Sequence, residues 1–157
     1  MNQVVVKQEK SGYQIVEAYK SLRTNLQFCG EDKKVIAVTS CTPNEGKSSV
    51  SMQLGISLAE SGKRVILIDA DLRKSVLLGR TKTQKSVRGL AHFLSGQATL
   101  EDVICSTNVK NFYMIYSGPF PPNPAELLGG KNFRSLLNAL RKVYDYVIVD
   151  TPPLGSV

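Results

Sequence analysis

Residues 35–62 constrain the chain more than any other stretch. Val35-Ile36-Ala37-Val38 is a short apolar run. Thr39-Ser40-Cys41-Thr42-Pro43-Asn44-Glu45-Gly46-Lys47-Ser48-Ser49 is polar, and Val50, Leu54 and Leu58 then recur at helical spacing up to Gly62. The pattern predicts a buried strand, a tight turn and a helix over about Lys47 to Ser61, capped by Gly62. In such a turn the backbone N–H groups converge on an anion, and the helix N-terminus adds a partial positive charge. Lys47 is placed to reach the outer phosphates of a nucleotide, and Ser48 to put its hydroxyl on Mg²⁺. Thr42, Pro43, Asn44, Glu45, Gly46, Lys47, Ser48 and Ser49 are therefore the candidate phosphate cradle. Gly46-Lys47-Ser48 by itself is a modest signal.

The rest of the chain supplies what the loop lacks. Arg64-Val65-Ile66-Leu67-Ile68-Asp69 reads as a second buried strand, which closes a βαβ unit and predicts a parallel sheet with a right-handed crossover. Asn111 to Tyr116 and Tyr146 to Asp150 read as two more strands. In a parallel sheet all strand C-termini share one edge, where ligands bind. That edge collects residues 40–48, Asp69, Asp71 and Asp150. A carboxylate ending an apolar strand is costly unless a cation or hydrogen bonds satisfy it. Mg²⁺ takes oxygen ligands, so the three aspartates and the phosphate loop explain one another.

Outside this core, Val4-Val5-Val6 is either a short edge strand or an ordered arm. Ile15, Ala18/Tyr19, Leu22 and Leu26 predict a helix over Gln14 to Phe28, with Gly30 as its stop. Glu17, Lys20 and Arg23 step by three along it, as a charged stripe set away from the apolar one. The stripe is either a solvated face or a protein–protein contact. Phe133, Leu136, Leu137, Leu140 and Tyr144 mark a further helix. Leu100 to Ile104 is ambiguous, and Ser117 to Pro124 is a proline-stiffened loop expected to shape a surface near a strand end. His92, in a short apolar helix, has no visible catalytic partner and reads as structural.

The net charge is +7, and its distribution is more informative than its sum. Arg73, Lys74, Arg80, Lys82, Lys85 and Arg88 occur with no acidic residue between Asp71 and Glu101. This loop is either solvated or docks an acidic segment or phosphates. It has no interleaved aromatics, so no nucleic-acid partner is expected. Three scattered cysteines without metal-ligand spacing fit a reduced cytoplasmic setting. No apolar run approaches the ~20 residues of a membrane span, and residues 1–10 carry no leader-like apolar region. At 157 residues the chain reads as one domain, with an N-terminal arm and helix over about 1–30 and a nucleotide-binding core over about 33–157.

Taken together, these motifs resemble the bacterial protein-tyrosine kinases of capsule and exopolysaccharide gene clusters. Their Walker A motif is similar to Val38–Ser48. Their second aspartate motif is similar to Ile66-Leu67-Ile68-Asp69-Ala70-Asp71-Leu72-Arg73, and their Walker B to Val147-Ile148-Val149-Asp150-Thr151-Pro152-Pro153. The run Pro121-Pro122-Asn123-Pro124-Ala125-Glu126-Leu127-Leu128 also occurs in this family. An E-x-x-R-x-x-R subunit-contact motif corresponds to Glu17, Lys20 and Arg23, with Lys in place of the first Arg. The resemblance implies an α/β P-loop NTPase fold, a mostly parallel sheet with helices on both faces, incomplete at the C-terminus. Family members continue past Walker B into a tyrosine-rich tail, so the chain is expected to be a truncated form.

It also implies ATP-dependent, autophosphorylating protein-tyrosine kinase activity that regulates polysaccharide synthesis and export, with ATP and Mg²⁺ as cofactors. Lys47, Asp69, Asp71 and Asp150 would be catalytic. Ser48, Asp71 and Asp150 would hold the metal, and Asp69 would accept the tyrosine proton, although Asp69 and Asp71 can exchange roles. Implied partners are a transmembrane adaptor that activates the kinase, a homo-oligomeric ring and tyrosine-containing protein substrates, at the inner face of the plasma membrane. Two other functions share these parts: an ATP switch of the partition or septum-placement type, and a non-catalytic nucleotide-binding regulator of polysaccharide export. The switch proteins usually carry an early second Lys in the phosphate loop, and residues 40–45 have none.

Overall fold

A computed structural model describes residues 1–6, 12–32, 34–39, 47–72, 81–83, 87–119 and 121–152. Among them are seven strands: β1 (Asn2–Val6), β2 (Val35–Val38), β3 (Val65–Asp69), β4 (Thr81–Thr83), β5 (Cys105–Thr107), β6 (Phe112–Ile115) and β7 (Tyr146–Asp150). The helices are α1 (Tyr13–Phe28), α2 (Lys47–Glu60), α3 (Leu90–Leu94), α4 (Leu100–Val103), α5 (Pro124–Leu128) and α6 (Lys131–Val143). The strands form one mixed sheet in the order β2-β7-β3-β6-β5-β1-β4. β2, β7, β3 and β6 are mutually parallel, β5 runs antiparallel to β6, β1 parallel to β5, and β4 antiparallel to β1.

Alternation along the central strands sorts the core into two layers. Val65 and Leu67 of β3, with Tyr146 and Ile148 of β7, pack with Met52, Leu54, Ile56 and Leu58 of α2. Ile66, Ile68, Val147 and Val149 face the other way, against Leu90, Ala91 and Leu94 of α3 and Leu136 and Leu140 of α6. All five residues of β3 and of β7 are buried. That is why these strands read as unbroken apolar runs: a parallel sheet is covered on both faces. The helix of the βαβ unit ends as its sequence predicts. Gly62 takes a φ of +92°, its N–H reaches the Ala59 carbonyl at 3.0 Å, and the Lys63 N–H reaches that of Leu58 at 3.3 Å. This pair of bonds is a Schellman cap.

Several details depart from expectation. β1 is no edge strand: it lies between β5 and β4, pairing Asn2 with Cys105 and Val4 with Thr83. β4 and β5 have three residues each, too few to show a period in sequence. Val50 does not belong to the inner stripe of α2, since it is exposed; Ser51 and Met52 are buried in its place. α1 rests on α2 rather than on the sheet, and none of its residues is fully buried. Tyr19, Arg23 and Leu26 are half-buried on one line, spaced four and three apart, while Ile15 and Leu22 of the expected stripe are exposed. Arg23 therefore does not lie on a charged face turned away from the chain. Its guanidinium donates to the Ser57 carbonyl at 3.0 Å and approaches the Ser57 hydroxyl at 3.4 Å. Glu17 and Lys20 remain outside, paired with each other at 3.4 Å.

Candidate active site

The C-terminal ends of β2, β7 and β3 lie side by side in strict register, with Val38 opposite Asp150 and Asp150 opposite Asp69. Neighbouring strands in such a ladder are about 4.8 Å apart. Asp69 continues the Val65–Leu67 series and Asp150 the Tyr146–Ile148 series, so both belong to the face that α2 covers. The sheet thus brings two carboxylates together at its ligand-binding edge and buries them almost completely. Asp69 is 0% and Asp150 1% exposed, and Asp71, two residues on, is 8% exposed.

Local bonds hold this constellation. The Asp71 N–H donates to Asp69 Oδ1 at 3.2 Å, closing a tight turn directly after β3. The Ala70 N–H donates to the Asp150 carbonyl at 2.9 Å, which carries the β3–β7 ladder one step past the strand end. On the other side the Thr151 N–H reaches the Val38 carbonyl at 3.0 Å, and its hydroxyl the same oxygen at 2.9 Å. The Thr39 hydroxyl meets the Pro152 carbonyl at 3.5 Å. The segments leaving β2 and β7 are therefore tied to each other where the phosphate loop begins.

Ser51 is the residue that sequence reading missed. It is fully buried, and its hydroxyl donates to Asp150 Oδ1 at 3.1 Å. The signal was available: Ser51 follows Lys47 by four, so the two share one side of α2, and a polar residue on the buried side of a helix needs a partner.

Of the predicted cradle, Thr42, Pro43, Asn44, Glu45 and Gly46 lie outside the described residues, as does the basic segment over residues 73–80. Lys47 and Ser48 form the start of α2 through their backbone, and Ser49 is half-buried beside them. The described flanks of the loop and the aspartates thus meet at the same end of the sheet. Among the described residues, no three His, Cys, Asp or Glu side chains converge enough to hold a metal ion alone. The donor set suits Mg²⁺, which is commonly held by one or two carboxylates, with waters and substrate phosphates completing the shell. Asp150 and Asp71 are oxygen donors of that kind, and the carboxylates of Asp69 and Asp150 stand at adjacent strand ends.

The chain leaves β6 at the same edge, where a cleft of about 370 Å³ is lined by His92, Pro119, Pro121, Pro122, Asn123 and Leu127. His92 Nδ1 accepts from the Gly89 N–H at 2.9 Å, at the start of α3. This is the structural role expected of it. A Cβ on Gly89 would come within 2.3 Å of the Gly118 nitrogen, so only glycine lets α3 abut the segment after β6.

Comparisons with known proteins speak to the fold and the family. A family model described as an AAA domain matches residues 33–157. The tyrosine-protein kinase CpsD of Streptococcus agalactiae is 45% identical over 141 residues, covering 90% of this chain and 62% of that protein. The solved kinase domain of the Escherichia coli tyrosine kinase ETK superposes with a TM-score of 0.82 at 38% identity, covering 90% of this chain and 56% of that one. The VpsO kinase domain does so with a TM-score of 0.74 at 30% identity, covering 93% and 75%. The chain spans about three fifths of the CpsD length it matches. With its P-loop architecture and strand-end aspartates, the chain belongs to the AAA-domain family of nucleotide-binding proteins, in the branch formed by the bacterial tyrosine-kinase domains.

Proposed function

We propose that this chain carries the phosphate- and metal-binding half of an ATP-dependent protein-tyrosine kinase that serves capsule or exopolysaccharide synthesis. The observation that carries the reading is the register of Asp69 against Asp150 at the ligand edge of the sheet, with α2 opening on Lys47 and Ser48 beside them. Phosphoryl transfer is mostly positioning and charge stabilisation, and each residue has a part in that. The amides of residues 42–49 and the Lys47 ammonium hold the β- and γ-phosphates of ATP. Ser48, Asp71 and Asp150 would hold Mg²⁺, which when bound would neutralise charge on the phosphates. Ser51 keeps Asp150 oriented. Asp69 accepts the proton of the acceptor tyrosine, and Asp71 is the alternative base.

Assembly follows the same reading. Glu17 and Lys20 present an exposed charged pair for a second copy of the chain, and Arg23, bonded to Ser57, fixes the angle at which α1 offers them. The ring, the activating transmembrane partner and the placement at the inner membrane face belong to the whole protein. Among the described residues no helix is long and apolar enough to cross a membrane. In this proposal membrane association comes through that partner.

The test is Lys47→Met, assayed by transfer of labelled phosphate from ATP to a Glu/Tyr copolymer in Mg²⁺. The variant should lose at least ~10²-fold in rate, as expected when a positioned charge on the phosphates is removed. Undiminished phosphotyrosine would sink the assignment. ATP binding by the unaltered chain with no transfer to any tyrosine would favour a non-catalytic regulator instead.

A further inference from the structure

A tyrosine kinase whose copies meet also presents them to one another as substrates, and this chain's own tyrosines differ sharply in what they offer. All six lie among the described residues. Tyr116, Tyr144 and Tyr146 are buried, at 3%, 4% and 8% exposure. Tyr144 packs edge-on to half-buried Tyr113 at 5.4 Å between centroids, and the Arg64 guanidinium lies over both rings at 5.2 and 5.4 Å. Tyr19 is half-buried where α1 meets α2, and burial pushes its phenol up from the ordinary value. Tyr13 alone is freely exposed, at 79%.

Exposure matters because of what the reaction requires. An acceptor hydroxyl must enter another copy's site and approach the γ-phosphorus in line. A ring in the strand core or in the Arg64 stack reaches such a position only after local opening of the fold, which costs up to the full stability of that region. Tyr13 needs no such opening. It is the first residue of α1 and lies one turn before Glu17, on the same side of the helix. A second copy that engages the Glu17–Lys20 pair therefore meets Tyr13 next to it.

We propose that Tyr13 is a phosphoacceptor, modified in trans by a second copy of this chain. The inference rests on the kinase reading above. In the step, Tyr13 Oη bonds to the γ-phosphorus of ATP while the bond from that phosphorus to the β,γ-bridging oxygen breaks. ADP leaves, and the phenolic proton passes to the partner copy's aspartate base.

The experiment uses the chain as it stands. An active copy is incubated with Mg-ATP and with a Lys47→Met copy distinguishable by mass, with the Glu/Tyr copolymer as an independent substrate, and phosphosites are mapped by mass spectrometry. The expected result is label on Tyr13 of the Lys47→Met copy. Tyr13→Phe should lower self-incorporation at least tenfold and leave copolymer phosphorylation unchanged. Copolymer phosphorylation with Tyr13 unlabelled, or equal self-incorporation in Tyr13→Phe, overturns the assignment of Tyr13 alone. No transfer to copolymer or chain overturns the kinase reading, and Tyr13 as acceptor falls with it.

Discussion

Gly55 tests how closely α2 sits on the sheet, and hence where the phosphate-binding end of that helix is held. A Cβ built on Gly55 would meet Phe112 Cε1 at 2.5 Å, Cζ at 3.1 Å and Cδ1 at 3.4 Å. Carbon atoms pack at about 3.5–4.0 Å, so in Gly55→Ala the ring must retreat by about 1 Å. Phe112 is 1% exposed within the α2-side core, among Leu67, Met114 and Ile148, and has little room to do so. Overpacking of this kind costs about 1–3 kcal/mol. Replacing glycine by alanine inside a helix returns about 1 kcal/mol. The net expectation is a loss of about 1 kcal/mol, which for a domain of this size lowers Tm by about 2–4 °C.

Thermal unfolding followed by circular dichroism reads this directly. The control is the same substitution in a Phe112→Leu background. There the collision is gone, so Gly55→Ala should be neutral or stabilising by up to ~1 kcal/mol, and the cycle should show a coupling of about 1–3 kcal/mol. A rise in Tm for Gly55→Ala in the unaltered chain would refute the reasoning. It would mean that α2 stands off from β6 and that Ser51 does not meet Asp150 as described.

Two further expectations can be measured alongside. Ser51→Ala removes a donor from a buried carboxylate; it should cost about 1.5–3 kcal/mol in urea unfolding and raise the Mg²⁺ concentration needed for half-maximal activity several-fold. Unchanged Mg²⁺ dependence would return Ser51 to a packing role. Burial pushes the Cys105 thiol up to about 11. Its neutral form is therefore favoured in the fold: the stability it contributes is complete below the unfolded value of about 8.5 and is lost as pH rises toward 11. Burial raises Tyr144 and Tyr146 as well, in the same sense. Unfolding free energy should fall by on the order of 2 kcal/mol between pH 8 and 11, and the slope should flatten in Cys105→Val. An identical slope in that variant would assign the alkaline loss elsewhere.

The parts that were legible in sequence are those that obey a local rule. β3 and β7 are buried on both faces, so their apolar runs and terminal aspartates could be read directly. α2 and its Gly62 cap follow from helical spacing and from one residue's freedom at positive φ. The less legible parts depend on partners far along the chain. β1 reads as an edge because nothing in Val4-Val5-Val6 reveals that residues 81–83 and 105–107 will flank it. The face of α1 was misjudged because Tyr19-Arg23-Leu26 and Ile15-Leu22-Leu26 are both helical stripes; a long guanidinium reaching Ser57 decided between them. Ser51 is hard to read from sequence because its meaning depends on Asp150, 99 positions away.

The sheet order has a consequence for synthesis on the ribosome. β2, which launches the phosphate loop, is the terminal strand of the order, and among the described residues its one ladder partner is β7. β7 is also the last of the described strands in chain order, more than a hundred residues after β2. A nascent chain can close the turn after β3 early, but among the described strands β2 has no ladder partner until residues 146–150 have left the exit tunnel. Nucleotide competence should therefore arrive abruptly and late. Nascent chains stalled short of Asp150 should fail to retain ATP even though Lys47, Ser48, Asp69 and Asp71 have all been made.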